Sequence, residues 1–312
     1  MSLSMIDRTY LSSDGVHQIH ATVYRPPLDM QVRGVVQIAH GMVDHSGRYR
    51  DFAFRLAAAG YAVGLCDHLG HGRTARCAED FGFFAEHGGV DLVLRDMHTL
   101  TEQLRAEFVG CPIVLVGHSM GSFLSRLFAV RYPHDIDAHL IFGTGGPNPL
   151  LPFGRALAAI VRCFAGPRHR SRLIASLAFA GYNSHFDPSE GQNAWLSRDK
   201  AYLERDGKDP YTDFIFTVSA YQDLFRMLGA CNRRRWFRSY PKELPTLLMS
   251  GTEDPVGAYG KGPSYVYRRL LMAGVGPLEL HLYEGARHEL FNETCRDEVI
   301  ADVLAWLGTV AP

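Results

Sequence analysis

The apolar run Ile113-Val114-Leu115-Val116 leads straight into Gly117-His118-Ser119-Met120-Gly121, after which Phe123, Leu124, Leu127 and Phe128 recur at helical spacing. A buried strand that reverses this sharply into a helix has no room for large side chains, so small residues must flank the turn. The residue at its tip is held at the sheet edge beneath the positive end of the helix. This order of strand, turn and helix demands a sheet with helices packed on it and presents Ser119 at the sheet's carboxyl edge. The plainer alternative is a glycine-rich turn whose serine only caps the helix, a position serine favours.

The rest of the chain fits such a sheet. Tyr10 to Ser13 and Gln18 to Tyr24 read as strands joined at Asp14-Gly15, a hairpin signal that predicts an antiparallel edge. Short apolar runs at Gly34–Ala39, Tyr61–Cys66, Pro112–Val116 and His139–Phe142 have the character of parallel strands covered on both faces. Between them, Val93, Met97, Leu100, Leu104 and Phe108 follow a helical period. After Gly143-Thr144-Gly145-Gly146-Pro147 the alternation stops for about ninety residues of irregular, aromatic-rich sequence, too long for a compact loop. Strands resume at Pro245–Ser250 and Leu278–Tyr283, with helices expected over Ser264–Ala273 and Asp297–Leu307. The expected architecture is an α/β fold with a mostly parallel eight-stranded sheet. Residues 5–147 and 241–312 form its body, and 148–240 form an inserted helical cap.

Bulk properties narrow the function. A chain of 312 residues with 46% hydrophobic content can bury one large α/β core. Thirty-two Lys and Arg against 33 Asp and Glu leave no basic excess that would point to nucleic acid, so a small-molecule partner is expected. Cys66, Cys77, Cys111, Cys163, Cys231 and Cys295 lie far apart without a C-x-x-C pair, which predicts reduced thiols in a cytoplasmic protein. No basic stretch followed by an apolar core marks the N-terminal residues, and no apolar run reaches membrane-spanning length.

A serine hydroxyl becomes a good nucleophile only when a base takes its proton, and the base must be oriented by a carboxylate. In strand-turn-helix proteins of this type the order along the chain is serine, acid, histidine. Leu247-Leu248-Met249-Ser250-Gly251-Thr252-Glu253-Asp254-Pro255 places two carboxylates just past a strand. Asp254 is favoured as the acid because Pro255 fixes a loop after it, with Glu253 as the competitor. His288, in Glu284-Gly285-Ala286-Arg287-His288-Glu289 after the next strand, is the expected base. Only its place in this order separates it from the other histidines of 15. An oxyanion would need backbone N–H donors from the residue after the nucleophile and from the loop after the third strand, that is, Met120 and Met42. No metal or organic cofactor is required. His68 and His71 have a spacing that metal ligands also use, but no second ligand cluster lies nearby in sequence.

His40-Gly41-Met42-Val43-Asp44-His45-Ser46-Gly47-Arg48-Tyr49, Asp67-His68-Leu69-Gly70-His71-Gly72-Arg73 and Gly117-His118-Ser119-Met120-Gly121 resemble the monoacylglycerol lipase and lysophospholipase family of α/β-hydrolases. Gly251-Thr252-Glu253-Asp254-Pro255-Val256 and Gly285-Ala286-Arg287-His288-Glu289 are similar too. The resemblance covers the body and is weak across the cap. It implies a serine hydrolase of lipid-like esters that forms an acyl-enzyme on Ser119. It also implies an oxyanion N–H at Met42, and Asp44 and Arg48 near the alcohol part of the ester. Residues four apart at a helix start can equally form a plain exposed ion pair. Two departures stand out: Ser122 follows Gly121 where many relatives have a second glycine, and Val43-Asp44 replaces a more common Gly-Glu. The same triad cleaves amides, so an aminopeptidase or amidase is the alternative enzyme, and a non-catalytic binding module is the alternative outside enzymes.

Residues 151–240 carry a net charge of +6, leaving −7 for the remainder. Leu150, Leu151, Phe153, Leu157, Ile160, Val161 and Phe164 form a helical stripe near Arg155, Arg162, Arg168, Arg170 and Arg172. An apolar stripe ringed by arginine suits peripheral contact with a membrane or micelle. The same stripe could instead be buried on the body while the arginines face solvent.

Overall fold

The computed structural model describes residues 3–312. Strands β1 (Ser4–Leu11) and β2 (Gln18–Arg25) form the antiparallel hairpin, in register from Leu11 opposite Gln18 to Ser4 opposite Arg25. β1 overlaps the expected Tyr10–Ser13 stretch only at Tyr10 and Leu11, starting earlier and ending before Ser12, because it is a mostly exposed edge strand that no apolar run marks. Next come β3 (Gly34–Ala39), α1 (Arg50–Ala58), β4 (Tyr61–Cys66), α2 (Gly89–Glu107), β5 (Ile113–His118), α3 (Met120–Arg131) and β6 (Ala138–Phe142). Five helices follow: α4 (Leu151–Ala165), α5 (Arg172–Ala178), α6 (Lys200–Asp206), α7 (Val218–Cys231) and α8 (Arg234–Ser239). The chain ends with β7 (Thr246–Gly251), α9 (Lys261–Met272), β8 (Leu278–Tyr283) and α10 (Arg296–Val310).

The sheet order is β1-β2-β4-β3-β5-β6-β7-β8, with β2 antiparallel to β4 and every pairing from β4 to β8 parallel. The chain runs from β3 outward to β4 and then returns to place β5 on the other side of β3. The connections leaving β3 and β5 therefore diverge, and open α/β sheets bind ligands in the crevice such a divergence leaves at the strands' carboxyl ends. Both strands are buried throughout. Val36, Ile38, Val114 and Val116 meet Phe52 and Leu56 of α1 and Val303 and Leu307 of α10 on one face. Val35, Ile113 and Leu115 meet Leu100 and Leu104 of α2 and Leu124 and Phe128 of α3 on the other.

The helices between β6 and β7 divide into two kinds. α7 buries Val218, Ala220, Tyr221, Met227 and Cys231 in the same core as α2 and α3. In α4 the apolar stripe expected from sequence is split. Leu157, Ala158 and Val161 face the core, whereas Leu150, Phe153, Ile160 and Phe164 are exposed, Phe164 to 87%. Neither the all-buried nor the all-exposed reading of that stripe holds, because a helix lying across α7 can present only part of its circumference to it.

Candidate active site

Ser119 stands between β5 and α3 with φ 54° and ψ −120°, in the left-handed half of backbone space that costs a non-glycine residue of order 1–3 kcal/mol. Its side chain makes no capping bond to α3, so the strain does not serve helix capping. The neighbours must be glycine because the turn is packed tightly. A Cβ on Gly117 would lie 2.1 Å from Ser125 Oγ, and one on Gly121 would lie 2.1 Å from the Ala39 carbonyl oxygen.

Asp254, fully buried after β7, accepts at Oδ1 from His288 Nδ1 at 3.0 Å and from the Val256 amide at 2.9 Å. Glu253 is half-buried and does not line the cavity that Ser119 and His288 share; its amide donates to the Ala286 carbonyl at 2.9 Å. His288 is buried too, which by itself would favour the neutral ring, yet the Asp254 charge and hydrogen bond hold its pKa above the ordinary histidine value. The imidazole packs 5.1 Å from the Trp195 ring and 4.9 Å from His118. The His288 amide donates to the Trp195 carbonyl, and the Glu289 amide to that of Leu196. The segment carrying Trp195 is thus bonded directly to the loop that carries His288.

The turn after β3 approaches the serine closely: a Cβ on Gly41 would be 3.2 Å from Ser119 Cβ. Gly41 is fixed by its amide donating to Asp44 Oδ2 at 2.9 Å and by His40 Nδ1 donating to its carbonyl at 2.9 Å. His40 Nε2 accepts from the His68 amide, so both ring nitrogens are used by one neutral tautomer. Burial and the neighbouring His71 push the His40 pKa down to about 3. His68 and His71 pack against His40 with centroids at 4.1 and 5.1 Å and tilted ring planes, so the spacing that metal ligands also use here packs three buried imidazoles together. Met42, Met120, Ser119 and His288 all line one cavity of about 530 Å³.

Asp44 and Arg48 line that cavity as well, and they are not an exposed pair. Arg48 keeps 10% of its side chain exposed and donates to Asp44 Oδ1 at 2.9 Å. It also reaches Asp206 Oδ1 at 2.7 Å, Glu289 Oε1 at 2.8 Å and the Tyr202 hydroxyl. Tyr49 donates to Asp44 Oδ2 at 2.6 Å and touches His118 Nδ1 at 2.8 Å. Burial would raise the Asp44 pKa, but the Arg48 guanidinium, with His40, His118 and the Tyr49 hydrogen bond adding to it, outweighs burial and holds the carboxyl far below the usual range. At Asp206 burial wins over Arg48 and pushes the carboxyl up to about 6. Away from this polar end the walls are apolar, with Phe123, Ala178, Phe179, Phe214, Leu224 and Val256. Sequence reasoning did not find Trp195, Tyr202 or Asp206. They come from the segment between β6 and β7, no motif marks them, and Tyr202 lies 154 residues from the Arg48 it touches. Glu289 lay within a quoted motif but had no assigned role.

The family described as serine aminopeptidase, S33, matches this chain over residues 30–295. The monoacylglycerol lipase of Mycolicibacterium smegmatis is 27% identical over 326 residues, covering 98% of each chain. Among solved structures, a lipase in its open form superposes with a TM-score of 0.91 at 29% identity, covering 99% of both chains. A carboxyl esterase from Bacillus coagulans, solved in complex with glycerol, superposes with a TM-score of 0.92 at 24% identity over the whole of both chains, a likeness of fold.

Proposed function

Because the chain belongs to the serine aminopeptidase S33 family of α/β-hydrolases, in its monoacylglycerol lipase and lysophospholipase branch, we propose that it cleaves single-chain lipid esters through an acyl-enzyme on Ser119. The observation that carries this reading is that Ser119 and a buried, Asp254-bonded His288 line one cavity that is apolar at one end and polar at the other. In this mechanism Ser119 Oγ attacks the ester carbonyl as His288 takes its proton, and Asp254 orients the ring and stabilises the imidazolium. The amides of Met42 and Met120 hold the oxyanion. His288 then protonates the leaving alcohol, and water attacks the acyl-enzyme by the same route.

The acyl chain would lie along Phe179, Phe214 and Leu224, and the alcohol would face Arg48, Asp44 and Glu289. Hydroxyl groups both donate and accept, which suits a wall holding a guanidinium beside carboxylates. Three carboxylates around one guanidinium also favour a second reading, an amide or peptide substrate with a free amine. The insertion would act as a cap over the site, with the exposed Leu150, Phe153, Ile160 and Phe164 meeting a lipid surface. Arg168 lies over the Phe83 ring at 3.7 Å and Arg170 donates to the carbonyls of Ala78, Glu79 and Phe81, so these two tie the insertion to the body. The exposed arginines near α4 are Arg155, Arg168 and Arg172. Among the described residues no helix is long and apolar enough to cross a membrane. All six cysteines are free thiols, which suits a reducing compartment such as the cytoplasm.

The test is covalent labelling by a fluorophosphonate probe together with a panel of monoacylglycerols, lysophospholipids, p-nitrophenyl esters and aminoacyl anilides. Labelling and ester turnover should both be lost in Ser119→Ala, turnover by several orders of magnitude. Labelling that survives the substitution removes Ser119 from the mechanism. Faster cleavage of the anilides than of the esters would select the amide reading.

A further inference from the structure

Arg126 of α3 is fully buried, and among the described residues it forms no ion pair. Its Nη2 donates to the Cys231 carbonyl at 2.5 Å and to Asn232 Oδ1 at 3.2 Å. Its Nη1 donates to the Gly145 carbonyl at 3.3 Å and to Thr144 Oγ1 at 3.2 Å, and the guanidinium lies 4.6 Å from the Trp236 ring centre. Cys231 ends α7, so its carbonyl belongs to the negative pole of that helix. A cation taken out of water without a carboxylate is costly, and helix packing alone does not call for one here.

The hydroxyls beyond Arg126 have one consistent order. Ser122 Oγ lies 2.6 Å from the Ser119 carbonyl oxygen, which can only accept, so the single hydroxyl proton of Ser122 is used there. At the 2.9 Å contact between Ser122 and Thr144 the proton must then come from Thr144. Thr144 in turn accepts from Arg126. The resulting chain of donors runs from the Arg126 guanidinium through Thr144 and Ser122 to the Ser119 carbonyl. That oxygen also takes the Ser122 amide at 2.9 Å. The Ser119 carbonyl and the Met120 N–H are the two ends of one peptide unit. Drawing electron density toward the carbonyl oxygen leaves the amide hydrogen more positive, and hydrogen bonds that start at a charge and run in series reinforce one another.

We propose that Arg126, Thr144 and Ser122 form a charged hydrogen-bond relay that polarises the Ser119–Met120 peptide and strengthens the Met120 amide as an oxyanion donor. The three are positioning residues, since none lines the cavity. The inference rests on the reading of Met120 as an oxyanion donor. A glycine at 122, common in the family this sequence resembles, would have no hydroxyl to close the relay.

Thr144→Val removes the middle hydroxyl at nearly constant shape, and Ser122→Ala removes the last one. Each should lower kcat for a short soluble ester about 3- to 10-fold with KM unchanged, well short of the 10²–10³ that follows outright loss of an oxyanion donor. Affinity for a boronic acid that forms a tetrahedral adduct should fall by a similar factor, while a non-hydrolysable ether analogue of the substrate should bind as before. The Met120 amide proton should move upfield in the NMR spectrum of both variants, and Thr144→Ser should recover most of the activity lost in Thr144→Val. Wild-type kcat and boronate affinity in folded Thr144→Val and Ser122→Ala, or a rise in KM alone, would overturn the relay. If Thr144→Val melts early, Ser122→Ala decides. Failure of the underlying mechanism looks different, since Ser119→Ala would then keep its turnover.

Discussion

Lowering the pH from 7 to 5 should remove about 5 kcal/mol of stability, because the fold buries imidazoles that cannot take up protons. Burial, helped by His71, holds His40 at about 3; burial holds His71 at about 4; burial and the neighbouring His288 hold His118 at about 4; burial and the Arg126 guanidinium hold His139 at about 3. In the unfolded chain each returns to about 6.5. With the folded value depressed, the unfolded state binds more protons once the pH falls below 6.5. The stability these rings contribute is therefore present above that pH and is lost on acidification toward the folded values. Over the two units from 7 to 5 each ring loses about 2 kcal/mol, so the four together lose about 8 kcal/mol. The result needs only that the folded pKa values lie well below 5. His68 is shifted the same way by burial and its imidazole neighbours.

Other groups act against this loss. Burial raises Asp206 and Asp223 to about 6, so the folded state binds their protons first, and the two return about 3 kcal/mol over the same window. His288, held up by Asp254, also acts in that sense. Carboxyls with lowered values, such as Asp44, give up their contribution only at more acid pH. Set against a typical total of about 5–15 kcal/mol, the net loss is large. Urea titrations followed by tryptophan fluorescence at pH 7 and pH 5 should show a midpoint lower by about 1.5 M or more at the acid pH, for a slope of about 3 kcal/mol per molar. A midpoint that stays constant across this range, or ring resonances that titrate near 6.5 in the folded protein, would refute the reasoning.

Asp254→Asn should leave the fold intact and cost roughly 10⁴-fold in turnover by favouring the wrong tautomer of His288, whereas Glu253→Gln should change turnover little in the same steady-state assay. Val43 adopts φ 51°, a left-handed value that a β-branched residue tolerates poorly. Val43 also packs partly buried against the core, so Val43→Gly, which releases about 1–3 kcal/mol of strain but adds about 0.5–1 kcal/mol of chain entropy and gives up about 1 kcal/mol of apolar burial, should leave stability in urea within about 1 kcal/mol of wild type instead of lowering it by the several kcal/mol usual for a buried Val→Gly change. Anionic vesicles should raise activity on long-chain monoacylglycerol, and replacing Phe153, Ile160 and Phe164 with serine should remove that rise without slowing a short soluble ester. No binding in low-salt vesicle sedimentation would end the lipid-surface reading.

The sheet was legible in the sequence, because the signals for buried strands are local. Gly34–Ala39 and Tyr61–Cys66 are short, nearly continuous apolar runs, Leu278–Tyr283 alternates apolar with polar residues as a strand does, and the observed bounds coincide with those stretches. The sequence also brought Ser119, Asp254 and His288 forward as candidates, since each stands just past the end of a strand and those ends converge at one edge of the sheet. Strand β1 was only half legible because an exposed edge strand needs no apolar run. Other features depend on which surfaces meet across long separations in sequence, and local pattern does not carry them. Arg48 and Asp44 are four residues apart and look like a surface pair. Burial came from α6, whose Tyr202 and Asp206 close over them, and from Glu289 beside the base. The stripe on α4 was periodic enough to predict a helix, but which half of it would face water depended on where α7 lay. Arg126 had no signal at all, because a buried guanidinium held by carbonyls and hydroxyls is specified by the far ends of other helices and loops, and local pattern carries no record of those.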